Sequence, residues 1–243
     1  MGSVYNGDMT LRRCVGLACL LIAPAAFAEP VRVAAARKRA GPAVRAIFEK
    51  AGATYPAAAL LLRAFKLEGE LELWAAPERG APYVKLKSYP VCARSGDLGP
   101  KRREGDGQVP EGFYQISQLN PWSSYHLSLR VDYPNRSDRK LGARGRLGGD
   151  IFIHGQCVTI GCLPMGDEGI EEIYLIAQDA RRPIDVQIFP ARLDAAGFAK
   201  VSILKPGLIE FWKPLQSAYE GFERTHRLPR VKVLSDGRYS VTN

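Results

Sequence analysis

Short segments in which apolar and polar residues alternate constrain the fold of this chain more than any other feature. They read ELELWAA, YVKLKSYPV, GFYQI and YHLSLRVDY, and turns rich in proline and glycine separate them. Because alternate side chains of a strand point to opposite faces of a sheet, a period of two is typical of half-buried strands. The segment DVQIFP predicts one further buried strand. These patterns together predict a mainly β domain over residues 67–190.

Helical patterns flank this domain on both sides. Apolar residues recur at helical spacing within residues 29–66 until Pro56 interrupts them, which predicts an N-terminal segment of short helices. Residues 191–243 predict a C-terminal helical extension packed on the domain, with one helix interrupted at Pro214 and a strand-like tail. The expected fold class is therefore α+β, mainly β with flanking helices.

The first residues have the pattern of an export signal. Within residues 1–28, two arginines precede a short apolar run, which ends in the small-x-small pattern Ala26-Phe27-Ala28 that precedes cleavage. Cys19 is disfavoured as a lipoprotein acceptor, because Gly16 replaces the leucine usual at that spacing. No stretch approaches the ~18 consecutive apolar residues that a membrane span needs. We therefore expect an exported protein without a transmembrane helix.

The net charge of +9 favours an acidic partner. Nucleic acid, anionic lipid and an anionic cell-wall polymer all fit a basic chain, and charge alone does not choose among them. The export signal argues against nucleic acid, as does the lack of a basic cluster interleaved with aromatic residues. No nucleic-acid partner is therefore expected.

The cysteines also carry information about the site. Cleavage after residue 28 leaves Cys92, Cys157 and Cys162, an odd number in an oxidising compartment, so at least one thiol is unpaired. If two of them bridge, Cys92 with Cys157 is the favoured pair, because Cys162 then stays free as a reactive thiol. The sequence leaves this connectivity open.

The stretch IHGQCVTIGC, residues 153–162, concentrates groups suited to nucleophilic catalysis. DIFIH alternates as a strand does, so His154 is expected at a strand end. Gly161 beside Cys162 offers backbone N–H groups that can stabilise an oxyanion. An imidazole promotes ionisation of a thiol whose ordinary pKa is about 8.5. The stretch predicts acyl transfer through a thioester, and Asp167 is expected to cap the helix that follows.

Two other interpretations of this stretch stay open. His154, Cys157 and Cys162 could bind zinc, but a closed structural site needs four ligands and the sequence offers no second cluster, so no metal is expected. Alternatively, the cysteines are buried small hydrophobic residues, as most free cysteines are. Spacing alone does not choose between this structural role and catalysis.

The stretch resembles the active-site signature of the L,D-transpeptidase catalytic domain (YkuD) family. In that family a strand carries His-Gly and a later Ser/Thr-x-Gly-Cys supplies the nucleophile; here these are His154-Gly155 and residues 159–162. VPEGFYQI, residues 109–116, resembles the family's Pro-x-Gly-x-Phe/Tyr strand. Segments across residues 60–180, among them FKLEGELELW, NPWSSYHLS and TIGC, are similar to the YafK-like branch, cell-wall proteins of Gram-negative bacteria.

This resemblance implies a β-sandwich-like catalytic domain that acts in the periplasm on peptidoglycan stem peptides containing meso-diaminopimelate, without a cofactor. It implies that Cys162 attacks the amide carbonyl, that His154 is the general base, and that the N–H groups of Gly161 and Cys162 form the oxyanion site. Thr159 belongs to the same signature. An amine or water then resolves the thioester. The alternatives are a hydrolase that releases a wall-linked lipoprotein or peptide, and a non-catalytic wall-binding protein.

The chain departs from the family on the substrate-binding side. Pro164 stands where many members carry an arginine, so substrate carboxylates must find other cations. Candidates lie in the basic segment before the motif: Arg136, Arg139, Arg144 and Arg146. By their family match, His126 and Trp122 are also predicted substrate contacts, although a structural role fits either residue. Glu111 is expected to be a loop residue without a role.

Overall fold

Eight strands of the computed structural model, which describes residues 1–2 and 29–242, form one curled sheet. Most of the predicted signal peptide therefore lies outside the described residues. The strands of this sheet are β1 (Ala59–Phe65), β2 (Glu70–Ala76), β3 (Val84–Pro90), β4 (Gly112–Asn120), β5 (Ser128–Val131), β6 (Phe152–His154), β7 (Leu163–Pro164) and β8 (Asp185–Phe189). Their spatial order is β3-β2-β1-β8-β4-β5-β6-β7.

Helices and a small hairpin complete the fold. The helices are α1 (Val31–Ala51), α2 (Arg136–Leu141), α3 (Gly166–Asp179), α4 (Ala195–Leu204) and α5 (Ile209–Thr225), and the hairpin pairs β9 (Arg230–Val233) with β10 (Tyr239–Thr242). The expected class, mainly β with flanking helices, is confirmed. No helix in the described part of the chain is long and apolar enough to cross a membrane.

Strand β4 joins the two halves of the sheet. Its first residues pair with β8 and its last residues with β5, and the register shifts between Ile116 and Gln118. Such an irregularity bends a strand and increases its twist. One apolar core contains residues from both halves together with the buried faces of α1 and α3. The expected sandwich has two layers of strands, and here the two halves of one curled sheet correspond to those layers.

The prediction that helices extend to residue 66 is wrong. A single helix ends after Ala51, where Gly52 adopts a left-handed conformation with φ of 63°. Residues 59–65 then form β1, which lies antiparallel to β2 and parallel to β8 near the middle of the sheet. Every residue of β1 is buried. Because both faces are covered, its sequence ALLLRAF has no alternation, and a continuous apolar run does not distinguish a strand from a buried helix.

Two smaller predictions also fail. Asp167 does not cap α3: Met165 is the N-cap residue, and the Asp167 carboxylate instead accepts a hydrogen bond from the Gln156 N–H at 2.8 Å. Helix α5 continues through Pro214. Its buried residues, among them Trp212 and Phe222, pack on the sheet face opposite α3, and this burial offsets the backbone hydrogen bond that proline lacks.

Candidate active site

Strands β6 and β7 bring the two predicted catalytic residues to one edge of the sheet. Ile153 pairs with Leu163 in parallel register, so Cys162 comes beside Phe152 at the start of β6. The Phe152 N–H donates to Sγ of Cys162 at 3.4 Å, and the thiol donates to the carbonyl oxygen of Asp150 at 3.6 Å. His154 ends the same strand, as the sequence predicts.

The imidazole of His154 is held in the tautomer that suits a general base. The side chain is buried, and Nδ1 lies 2.5 Å from the carbonyl oxygen of Gly155. Because a carbonyl oxygen can only accept, Nδ1 carries the proton and Nε2 keeps its lone pair. Burial lowers the pKa of His154, against the opposite effect of the Gly155 hydrogen bond. The imidazole is therefore neutral at neutral pH and able to accept a proton at Nε2.

The thiol of Cys162 is also uncharged at neutral pH. Burial raises its pKa, Asp150 adds to the effect, and the Phe152 N–H and Lys101 oppose it. In the described residues no hydrogen bond joins this thiol to His154, since its partners are the backbone groups of Asp150 and Phe152. The site thus holds a neutral thiol and a neutral base, and the thiol proton must transfer as the sulfur attacks a substrate.

Thr159 fixes the turn that precedes the nucleophile. Its Oγ1 accepts hydrogen bonds from the N–H groups of Gly161, at 3.2 Å, and Cys162, at 2.8 Å, and donates to the Cys162 carbonyl oxygen at 2.8 Å. The two N–H groups predicted to form an oxyanion site are therefore directed at Thr159 in this state. An oxyanion would have to replace the threonine hydroxyl as their acceptor.

The turn also requires glycine at position 161. Gly161 has a φ of 133°, and a Cβ at this position would lie 3.2 Å from the carbonyl oxygen of Gln108. Side chains rarely adopt this backbone conformation, and the close approach of residue 108 leaves little room for one. Gly161 therefore places Cys162 through its backbone geometry.

A disulfide joins Cys92 to Cys157, with the two Cα atoms 5.4 Å apart. The favoured pairing is confirmed, and Cys162 is left as a free thiol. With Cys157 in a disulfide, the zinc set of His154, Cys157 and Cys162 loses a ligand, so that interpretation is wrong. The bridge connects the loop between base and nucleophile, residues 155–161, to the loop that follows β3.

A cavity of about 230 Å³ opens at Cys162. It lies between the turn joining β1 to β2 and the loop of residues 91–98. Its walls are largely apolar, and its polar residues include Lys66, Arg94 and Ser95. Such an apolar cleft with a few polar groups is the usual form of a small-ligand site.

None of the four predicted substrate-binding residues lines this cavity. Arg136 and Arg139 lie on α2, where Arg139 donates to the carbonyl oxygen of Pro134. Trp122 is 76% exposed in the turn after β4. His126 lies 2.7 Å from the Glu171 carboxylate, on the side of α1 and α3. Neither position in the basic segment nor the family match therefore predicted which residues line the cavity at Cys162.

Two residues near the site have contacts that the sequence did not predict. The ring of Tyr125 packs on the His154 imidazole with centroids 4.8 Å apart. Glu111 is fully buried and accepts hydrogen bonds from Gly99 N–H at 2.7 Å and Trp212 Nε1 at 2.7 Å, while Lys66 Nζ lies 2.9 Å from it. A carboxylate inside the apolar segment VPEGFYQI was a signal that could have identified Glu111 as a paired, buried group.

Comparisons with known proteins identify the family of the chain. The L,D-transpeptidase catalytic domain (YkuD) model matches residues 74–187. The Escherichia coli (strain K12) protein named "Putative L,D-transpeptidase YafK" is 38% identical over 189 residues, covering 74% of this chain and 73% of that protein.

Among solved structures, the helical cell shape determining protein Pgp2 from Campylobacter jejuni is similar, with a TM-score of 0.46 and 17% identity, covering 78% of this chain and 79% of that one. Bd1075 of Bdellovibrio bacteriovorus has a TM-score of 0.40 and 19% identity, with coverage of 71% and 63%. By the family match and the identity to the Escherichia coli relative, this chain belongs to the L,D-transpeptidase catalytic domain (YkuD) family.

Proposed function

We propose that this protein is an exported cysteine acyltransferase that acts in the periplasm on peptidoglycan stem peptides containing meso-diaminopimelate. The observation that carries the proposal is that the pairing of β6 with β7 brings Cys162, which lines the cavity, beside the strand that ends in His154. Membership of the L,D-transpeptidase family supports peptidoglycan as the substrate. The free state of Cys162, beside a disulfide that uses the other two cysteines of residues 29–242, supports it as the nucleophile.

In the proposed acylation, Sγ of Cys162 attacks the carbonyl carbon of the scissile amide. The thiol proton passes to Nε2 of His154, and the carbonyl oxygen takes the negative charge. The C–N bond then breaks, and His154 returns the proton to the leaving amine. The product is a thioester on Cys162 and a released amine.

In the proposed deacylation, an acceptor amine or water attacks the thioester carbon and gives its proton to His154. The C–S bond breaks, and the sulfur recovers the proton as a thiol. An amine acceptor makes a new amide and therefore a transpeptidase, whereas water makes a hydrolase. The two outcomes share one acyl-enzyme, so the acceptor must be identified from the products.

Intact-protein mass spectrometry tests the proposal. The protein is incubated with purified peptidoglycan or with a carbapenem, and the released muropeptides are analysed. We expect an adduct on the wild-type chain that maps to Cys162 and is absent in Cys162→Ala, with new cross-linked muropeptides. Cys162→Ala should keep the fold, which its thermal unfolding would verify.

Other results would contradict the proposal in different ways. A Cys162→Ala variant with full turnover would exclude Cys162 as the nucleophile. An adduct accompanied only by shortened peptides or a released lipoprotein would replace transfer with hydrolysis. Absence of any adduct or product would leave a wall-binding protein.

A further inference from the structure

The cavity at Cys162 contains a guanidinium without an acidic partner. Arg94 lines this cavity, and its terminal nitrogens donate to the backbone carbonyl oxygens of Leu67, at 3.1 Å, and Glu68, at 2.8 Å. Across residues 29–242, no carboxylate forms an ion pair with Arg94. A guanidinium has five N–H donors, so most of them remain for a ligand.

The other charged groups on the cavity wall are compensated. Lys66 Nζ lies 2.9 Å from the buried Glu111 carboxylate, and Asp97 lies 2.5 Å from Nζ of Lys205. These pairs largely cancel their own charges. Arg94 therefore gives the cavity its excess positive charge.

The turn between β1 and β2 leaves space for the Arg94 side chain. Gly69 in the turn between β1 and β2 has a φ of 67°, and a Cβ there would lie 2.7 Å from Nε of Arg94. Any side chain at position 69 would displace the guanidinium from the two carbonyl oxygens of the turn. The turn thus leaves room for the guanidinium to donate to these two carbonyl oxygens.

The next residue adds a hydroxyl without a partner. Ser95 lines the same cavity, and its Oγ is buried with no hydrogen-bond partner among the residues that the structure describes. A buried hydroxyl that makes no hydrogen bond is unusual in a native protein, since the lost bond to water is not replaced. Because this Oγ is closed to solvent as placed, it reaches a ligand in the cavity only after the Ser95 side chain changes rotamer, and the ligand then supplies the missing partner.

We propose that Arg94 and Ser95 form a subsite for a free carboxylate of the peptide substrate. A guanidinium and a hydroxyl are both donors, and a planar guanidinium binds a carboxylate through two parallel hydrogen bonds. The subsite supplies the cation that this chain lacks at Pro164, and it takes the role that was predicted for Arg136 and Arg139. The substrate class, acidic stem peptides, rests on the proposed function.

Binding to the inactive Cys162→Ala protein tests this subsite without turnover. Calorimetry would compare a stem tetrapeptide that has all its carboxylates with a set of peptides in which each free carboxylate is amidated in turn, at the glutamate, at the diaminopimelate side chain and at the C-terminus. We expect Arg94→Gln to weaken binding of the acidic peptide roughly 10-fold or more. If the carboxylate that the subsite binds is amidated, Arg94→Gln should not change the affinity for that peptide. The amidated peptide that is insensitive to Arg94→Gln therefore identifies the carboxylate that the subsite holds.

Three further variants sharpen the test. Arg94→Lys keeps the charge but loses the paired donors, so it should recover only part of the affinity. Ser95→Ala should weaken binding by a smaller factor with the same dependence on the carboxylate. Arg224→Gln removes the same charge from an exposed position on α5 and should bind both kinds of peptide as the parent does.

The subsite would be overturned if Arg94→Gln bound the acidic peptide as tightly as the parent, or lost affinity equally for acidic and amidated peptides. Neither result would affect the acyl-enzyme, which is read separately from the adduct on Cys162 in the active protein. Conversely, the active protein could show no turnover while Cys162→Ala still binds the acidic peptide more tightly than the amidated one. That result would reject the proposed reaction and keep the subsite.

Discussion

Cys162 and His154 form a pair in which neither partner is charged before substrate binds. Burial raises the pKa of the thiol and lowers the pKa of the imidazole, so both shifts oppose a resting thiolate–imidazolium pair. The thiol therefore becomes a strong nucleophile only when the base removes its proton during attack. The disulfide leaves no other free thiol between residues 29 and 242 to react in its place.

The first prediction concerns the pH dependence of this pair. The rate at which iodoacetamide alkylates Cys162 should rise with pH and show its inflection above about 8.5, the ordinary thiol value, because the thiol pKa is raised. Turnover should persist as the pH falls through about 6.5, because the lowered pKa keeps His154 neutral there. Stopped-flow alkylation and kcat profiles would measure the two effects.

The His154→Ala variant provides the control for this prediction. It should lose turnover while Cys162 still reacts with iodoacetamide at high pH, since ionisation by solvent hydroxide needs no base. An alkylation inflection near pH 6 in the wild-type protein would instead indicate a resting thiolate.

The residues that carry the proposed chemistry were predictable because they are close in sequence. His154, Thr159, Gly161 and Cys162 occupy one short stretch, and their proposed roles come from the resemblance of that stretch to a family signature, because spacing alone left a structural role open. Arg94 was not predictable, because its approach to Cys162 depends on how the curled sheet places the loop after β3. No pattern around position 94 distinguishes it from other arginines.

The loop of residues 155–161 shows how single elements are held at this site. The disulfide ties it to the loop after β3, and Gly155 fits closely against Tyr125 and Asp167. The Gln156 N–H donates to the Asp167 carboxylate at 2.8 Å. The loop is therefore fixed at its start and its middle, while Ile160 near its end is 90% exposed.

The second prediction concerns this bridge. Cys92→Ser combined with Cys157→Ser should lower the free energy of unfolding by about 4 kcal/mol, the chain-entropy value for a sequence separation of 65 residues. We also expect lower kcat, because the loop that presents the nucleophile is no longer anchored. Urea unfolding and kinetics would measure both effects.

The double variant is preferred to either single one, which would leave a second free thiol near Cys162. Wild-type protein treated with a reductant should behave as the double variant does, and the double variant should not respond to the reductant. Full activity of the reduced wild-type protein would show that the bridge does not position the loop.

The strands in which apolar and polar residues alternate were predicted correctly from the sequence. The alternating segments became β2, β3, β4 and β5, as expected. Strand β1 was taken for part of a helical segment because it is buried on both faces and therefore lacks alternation. The pairing that reveals it, with β2 on one side and β8 on the other, is not visible in the segment itself.

At the scale of the whole molecule, the buried Glu111 connects three parts of the fold. Lys66 follows β1, Gly99 lies in the loop that leads from the cavity, and Trp212 belongs to α5. All three donate to one carboxylate that is fully buried. The C-terminal helix is thereby linked to the cavity wall, which explains how a segment distant from the motif can support the site.

The third prediction follows from this connection. Glu111→Ala should destabilise the protein by about 3–5 kcal/mol, because it leaves the buried Lys66 charge without a partner. Glu111→Gln keeps one acceptor oxygen, which can serve only one of the Trp212 and Gly99 N–H groups, and it leaves no cavity, so it should cost less than Glu111→Ala. Chemical unfolding would give the order of stability, and equal losses for the two variants would contradict it.

The sheet edge that carries the nucleophile also has a consequence for aggregation. Open strand edges recruit strands from other molecules, and natural proteins close them with short strands, proline or covering loops. Strand β7 has all three features. It is two residues long and ends in Pro164, and the loop after β3 covers it, since the Cys92 N–H donates to the Pro164 carbonyl oxygen at 3.0 Å. This edge is therefore a poor template for strand exchange between copies of the protein.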